Sequence, residues 1–228
     1  NSIRAELKAF RAALHALGDA ELAEWQITAI ICWWNGHREH VYGHHTNEDA
    51  IMNPFLRTRF HIPEKILVDH RNLIELMDAI SAIVDGLDGG GGPPTALRAK
   101  WEEYEQAMLP HLREEEELAL PLCRAYFTPR EVAAKVREVM KRASAIELGS
   151  FWHTCGSKGA IMGFMRQEGI PPFLWHLLFR RQRTAYRRHM VSHIESLHRG
   201  EPVVTLRKRD FRIVLAGGSG AAGASPSP

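Results

Sequence analysis

The chain has 228 residues, a formal net charge of +2 and 25% charged residues, which allows one sizeable core and excludes a nucleic-acid binder held by bulk charge. Its three cysteines, Cys32, Cys123 and Cys155, are odd in number and lack CxxC spacing; they exclude a disulfide framework and a cysteine-built zinc site, and they fit an intracellular compartment, cytoplasmic or nuclear. The longest apolar stretch, 22–34, is broken by Glu24, Gln26 and Thr28 and is too short to span a bilayer, whereas histidine, at 13 residues, is over-supplied.

Apolar residues recur at spacings of three and four along nearly the whole chain, which predicts six or seven helices. The first covers 2–17 and stops at Gly18-Asp19; the second covers 20–57, with bends expected at Gly36 and Gly43. Pro63 opens the third, which ends before the flexible connector GLDGGGGPP at 86–94. The fourth runs from just after Thr95 to about 126, and Pro110 and Pro121 inside it each remove a backbone donor and favour a kink. Four long helices with short loops predict an up-down bundle over 1–128.

A helical extension follows over 129–200. TPRE, Thr128 to Glu131, reads as a capping box with proline at the first helical position. Short helices are expected on either side of Gly156, and a long final helix closes at Gly200. EPVVTLRKRDFRIVL, 201–215, reads as a short strand pair, and 217–228 holds only Gly, Ala, Ser and Pro, the composition of a flexible tail.

Two histidine–glutamate pairs at i,i+4 spacing stand out, His44 with Glu48 and His111 with Glu115. On a helix that spacing stacks both side chains on one face, about 5.4 Å apart, within reach of one metal ion. The first pair shares its stripe with Ile30, Trp34, Val41 and Ile51, the second with Leu97, Trp101, Tyr104 and Met108. Both stripes should face the core. His70 on the third helix lies likewise among Ile66, Leu73, Met77 and Ile80. A buried carboxylate with no partner costs several kcal/mol or goes neutral. A cation between Glu48 and Glu115, ringed by imidazoles, removes that penalty. The donor mix suits iron best, with manganese or zinc next. One such pair alone is ordinary on a solvated helix face; two pairs and a third histidine on successive apolar faces point to a metal site.

HHTNEDAIMNPFL (44–56), VDHRNLIELMDAI (68–80) and HLREEEELALPL (111–122) resemble the second, third and fourth helices of hemerythrin-like, or HHE cation-binding, domains. The resemblance covers roughly the first 128 residues. It implies a four-helix bundle with a non-haem di-iron centre bridged by carboxylates, and by position it implies ligation by His44, Glu48, His70, His111 and Glu115. Two departures qualify it. The first-helix histidine of the family would fall just before Asn1, outside the chain. The invertebrate oxygen carriers also have a second histidine one turn after the third helix's first; here that position is Ile74, which is similar to the iron-sensing ubiquitin-ligase subunits of animals and plants.

His40, one turn before His44, reads as a spare ligand or a supporting partner, and His45 with Asp49 as a structural or solvated pair on the more polar face. A ferritin-like site needs two Glu-x-x-His motifs, and only Glu195 to His198 matches. His189 and His193 lack the glutamate of HExxH. The arginines at 180, 181, 183, 187 and 188 read as a solvated face, and of Glu114 to Glu117 only Glu115 points inward by periodicity. His153 and Cys155 have no orienting acid with which to form a nucleophilic dyad.

The resulting expectation is an all-α, iron-binding protein with a pair of ions. It would act as an iron- or oxygen-responsive module rather than an enzyme, binding dioxygen or another diatomic ligand and meeting any protein partner through its C-terminal helices. Neither nucleic acid nor membrane is expected. The alternatives are a di-iron oxidoreductase acting on oxygen or peroxide, and an interaction scaffold with a vestigial site.

Overall fold

The computed structural model describes residues 2–203, and every element of regular structure within them is a helix. The strand pair expected within 201–215 (beyond 203) and the tail at 217–228 lie outside the described residues. Among the described residues no helix is long and apolar enough to cross a membrane.

Helices α1 (Ser2–Ala16), α2 (Glu24–Asn47), α4 (Glu64–Gly90) and α5 (Thr95–Tyr126) form the bundle. α4 packs between α2 and α5, and α1 packs against both α5 and α2. Each buries the stripe its sequence marks out: Ile3, Leu7, Phe10 and Leu14 on α1, and Leu97, Trp101, Tyr104 and Met108 on α5. Phe10 stacks on Trp33 with ring centroids 4.0 Å apart, and Trp101 meets both edge-on. α5 runs unbroken through Pro110 and Pro121.

The second helix departs from expectation at one place. It continues as α-helix through Gly36 and Gly43; the irregularity comes later, as a π turn at Glu48–Met52 that leads into the one-turn α3 (Asn53–Leu56). The two glycines serve close packing. A Cβ at Gly36 would strike Met190, and one at Gly43 would lie 2.5 Å from a carboxylate oxygen of Glu147.

Both neighbours belong to the extension. α6 (Pro129–Arg142) starts with the expected capping box, in which Thr128 and Glu131 bond each other's backbone N–H. α7 (Ala145–Thr154) repeats the device with Ser144 and Glu147. α8 (Lys158–Gln167) follows. The final helix is continuous over 175–199: a π turn, α9 (Arg180–Tyr186), a second π turn and α10 (Ser192–Arg199), ended by Gly200 in the left-handed conformation, φ 70°. Tyr186, Met190, Ile194 and Leu197 from this helix join the bundle's own apolar core. The extension is therefore packed into the bundle along α1 and α2, and it adds a satellite core of its own around Trp152, Met165, Trp175 and Phe179.

Candidate metal centre

α2, its π turn, α4 and α5 bring all five sequence-predicted ligands to one place. Glu115 is the hub: its carboxylate lies 3.1 Å from Nε2 of His111, 3.3 Å from Nε2 of His70 and 4.0 Å from Nε2 of His44. Glu48 closes the ring, 3.4 Å from Nε2 of His44 and 3.6 Å from Nε2 of His70. His70 and His111 are almost fully enclosed, whereas His44 keeps 30% of its side chain exposed and Glu48 22%. The π turn starts at Glu48, and the change of pitch sets the direction of that carboxylate relative to the turn before it.

Both ring nitrogens of His70 meet carboxylates, which can only accept: Asp49 accepts from Nδ1 at 3.0 Å and Glu115 from Nε2 at 3.3 Å. Burial pushes the ring down, but the bond to Glu115 and the charge of Asp49 outweigh it and hold it above the usual imidazole range, so without a cation both nitrogens donate. A cation would take the place of the Nε2 proton, and Asp49 would keep the one on Nδ1. Asp49 in turn accepts from the Asn53 amide at 3.1 Å. The expected pairing of Asp49 with His45 therefore gives way to a pairing with His70.

His45 is itself misplaced by the sequence reading, because it is 2% exposed and not solvated. Its ring stacks on that of His70 at 4.2 Å and meets His111 edge-on at 5.4 Å. The signal was available: Val41, one turn earlier, had already been placed on the buried face.

Electrostatics divide the two acids. Burial pushes the Glu115 carboxyl up, but His111 and His70 outweigh it and hold the group below the usual carboxylate range. Burial and the charge of Glu115 together push Glu48 well up, so without a cation Glu48 carries the proton and bonds Glu115. Burial lowers His44 to about 4 and His45 to about 2, which keeps both neutral, the form that ligates a metal.

Several of these groups lack a hydrogen-bond partner although buried: Nε2 of His44, both ring nitrogens of His45 and of His111, and Oε2 of Glu48. Orphans of this kind are rare, each costing about 1–3 kcal/mol. Their convergence fits a cation. Three overlapping groups have ligand atoms within 4.8 Å of one another: His45, His70 and His111; His44, His45 and Glu48; Glu48, His70 and Glu115.

A second buried polar layer lies toward the start of α2, and the sequence reading missed its centre. Glu6 is 4% exposed. It accepts hydrogen bonds from Nδ1 of His37 (2.7 Å), Nδ1 of His40 (2.9 Å), Ser150 (2.8 Å) and Tyr186 (2.7 Å). Tyr104 donates to Nε2 of His37 at 3.1 Å. Burial pushes Glu6 up, but the charge of His40 and the bonds from both histidines hold it well below the usual range. His40, expected beside the metal ligands, belongs to this closed network. Glu6 was detectable as an acid inside the apolar stripe of Ile3, Leu7 and Phe10.

Of the remaining candidates, Glu114 pairs with Lys65 and Glu116 with Arg4 at the surface, as periodicity predicted. His189 and His193 are buried on the final helix, and His193 lines a cleft with Glu24, Trp25 and Thr28 at the start of α2. A family model described as Hemerythrin HHE cation binding domain matches residues 1–123. No curated protein and no solved structure matches the chain.

Proposed function

This chain belongs to the hemerythrin HHE cation-binding family, and from that premise we propose that it is a non-haem iron-binding module, holding a pair of ions and responding to iron or oxygen. The observation that carries the reading is the convergence of unpartnered, buried donors from His44, Glu48 and His111 around Glu115. His44, Glu48, His70, His111 and Glu115 are the residues that would hold the ions. Three imidazoles and two carboxylates are borderline donors, favouring iron over magnesium or calcium, with manganese and zinc as competitors. When bound, such ions supply Lewis-acidic, redox-active positions open to a diatomic ligand such as dioxygen.

The residues around the site suit a sensor. α7 touches α2 on both sides of His44 and His45: Gly43 packs against Glu147, and Asn47 donates to Glu147 at 3.2 Å. Loss of the cation forces Glu48 to take up a proton and leaves the π turn without its anchor. That change is passed to α7 through Asn47 and Glu147, where a protein partner reading the C-terminal helices would meet it.

Metal analysis of the purified chain, with optical spectra in air and after reduction, tests the reading. Retained iron at about two per chain with oxo-bridge absorption supports it. Retention of no cation after aerobic and anaerobic loading would overturn it. Limited proteolysis with and without chelator then tests the sensing role, for which faster cleavage near α2 or α7 in the iron-free chain is expected.

A further inference from the structure

His45 has no role in the reading above. It is nonetheless the most isolated polar side chain of the site: enclosed on α2, with neither ring nitrogen bonded to anything. A neutral imidazole presents one donor and one acceptor, and leaving both unmet costs about 1–3 kcal/mol each. An aliphatic side chain would fill the space without that cost.

We propose that His45 is a metal ligand, the third imidazole of a nitrogen-rich position formed with His70 and His111. His44, Glu48 and Glu115 then form the oxygen-rich position beside it, and the two ions are chemically unlike. This rests on the reading that the site takes two ions.

Three observations carry the assignment. The nitrogens of His45, His70 and His111 lie within 4.8 Å of one another and come from three different helices, α2, α4 and α5, so they approach a common point from three sides. Next, the rings of His45 and His70 are only 15° from parallel, an arrangement two ligands of one ion do not keep. One ring must turn as an ion enters. Asp49 holds His70 by a hydrogen bond, whereas His45 is held by packing against His70 and His111 alone; the ring without a hydrogen bond is the one that can turn. Finally, His45 lines a surface cleft of about 350 Å³ with Tyr42, Thr46, Asp49, Ala50 and Ile74. An ion arriving between α2 and α4 passes the exposed Thr46 and Asp49, which offer oxygens to a partly hydrated cation, before it reaches the enclosed imidazole.

The chemistry predicts what each position takes. Three neutral imidazoles suit iron, zinc or copper and bind magnesium or calcium poorly, whereas the carboxylate-rich position also accepts manganese.

The test loads the full chain anaerobically with ferrous iron, desalts it and counts retained metal, for the wild type, His45→Leu and His45→Gln. Loss of about one ion of two is expected in both variants, while the metal-free His45→Leu chain melts no lower than the metal-free wild type, since an orphaned polar group has gone. Gln keeps a polar side chain of similar length but offers no imidazole nitrogen, so it separates lost ligation from altered packing if the Leu variant folds poorly. Two ions retained with unchanged affinity in His45→Gln would overturn the assignment and leave the five-ligand reading standing. A wild-type chain that retains none overturns both.

Discussion

Glu48 and Glu115 face each other inside the bundle and share a hydrogen bond, and only one of them is ionised without a cation. The pair therefore separates metal binding from stability. In Glu48→Gln the amide can donate to Glu115 as the protonated acid does, so the metal-free variant should melt within a few degrees of the metal-free wild type. Its iron retention should collapse. Chelator should lower the melting temperature of the wild type and leave the variant unchanged. Ligand present at 100 to 1,000 times its dissociation constant is worth about 2.7–4.1 kcal/mol, a shift that thermal melts resolve.

Glu6 gives the opposite result, because its partners are the protein itself. Removing one member of a buried, charged network typically costs about 3–5 kcal/mol, so Glu6→Ala should be severely destabilised with or without iron. Ser150→Ala and Tyr186→Phe each remove one donor and should cost about 1–3 kcal/mol. These losses would also show that the extension and the bundle unfold together, which a single melting transition in the wild type would confirm.

The same group fixes an acid limit. The folded carboxyl of Glu6 is held below its ordinary value of 4.5, so the unfolded chain binds its proton more readily than the folded one. Its contribution is fully present above that ordinary value and is lost as pH falls through the folded one. Glu6→Gln should flatten the fall in stability on the acid side of pH 4.5 relative to the wild type, in urea titrations run with chelator present so that both chains are compared metal-free; Glu115, also held low, contributes to both alike. An unchanged acid slope would mean that other carboxylates set the limit.

The fold was legible because its signal is periodic. α5 was placed at its observed ends, and two i,i+4 pairs on apolar stripes, with the lone His70 on a third, pointed to five side chains that the fold brings together. Two kinds of information were hidden. The π turn at Glu48–Met52 changes the pitch in the middle of a motif, and no residue type announces it. His45 was assigned to a polar face on the strength of Asp49, one turn away, but Asp49 is drawn to His70 on a neighbouring helix. Glu6 is a related case: its place in the apolar stripe of α1 marks it as buried, but its partners lie on α2, α7 and α9, and no local pattern shows what would satisfy it.

Glycines at helix contacts provide a packing test with two signs. A Cβ at Gly149 would lie 2.6 Å from Cβ of Tyr186 and 2.7 Å from the backbone carbonyl of Gln182. Backbone must shift to admit it, and α7 would be levered off α9, the helix that carries Tyr186 to Glu6. Gly149→Ala should cost about 1–3 kcal/mol or more. Gly86, within α4, has nothing within 4 Å of the same position, so Gly86→Ala should instead stabilise by about 0.5–1 kcal/mol through helix propensity. Denaturant melts of the two variants side by side would check both signs.

Asp49 touches no proposed ion, yet it determines which nitrogen of His70 faces the glutamates. In Asp49→Ala the ring loses its acceptor at Nδ1 and keeps its one proton on Nε2, where Glu115 accepts at 3.3 Å. Ligation then requires both a tautomer change and a fixed ring orientation, and loss of such a support typically costs 10- to 100-fold in metal affinity. Competitive titration against a chelator of known affinity should show a loss of that size, with folding preserved because Asp49 is 47% exposed. Asp49→Asn retains an acceptor oxygen and should recover most of the affinity. Equal losses in Ala and Asn would point to the charge of Asp49 acting at a distance; recovery in Asn identifies the hydrogen bond as the cause.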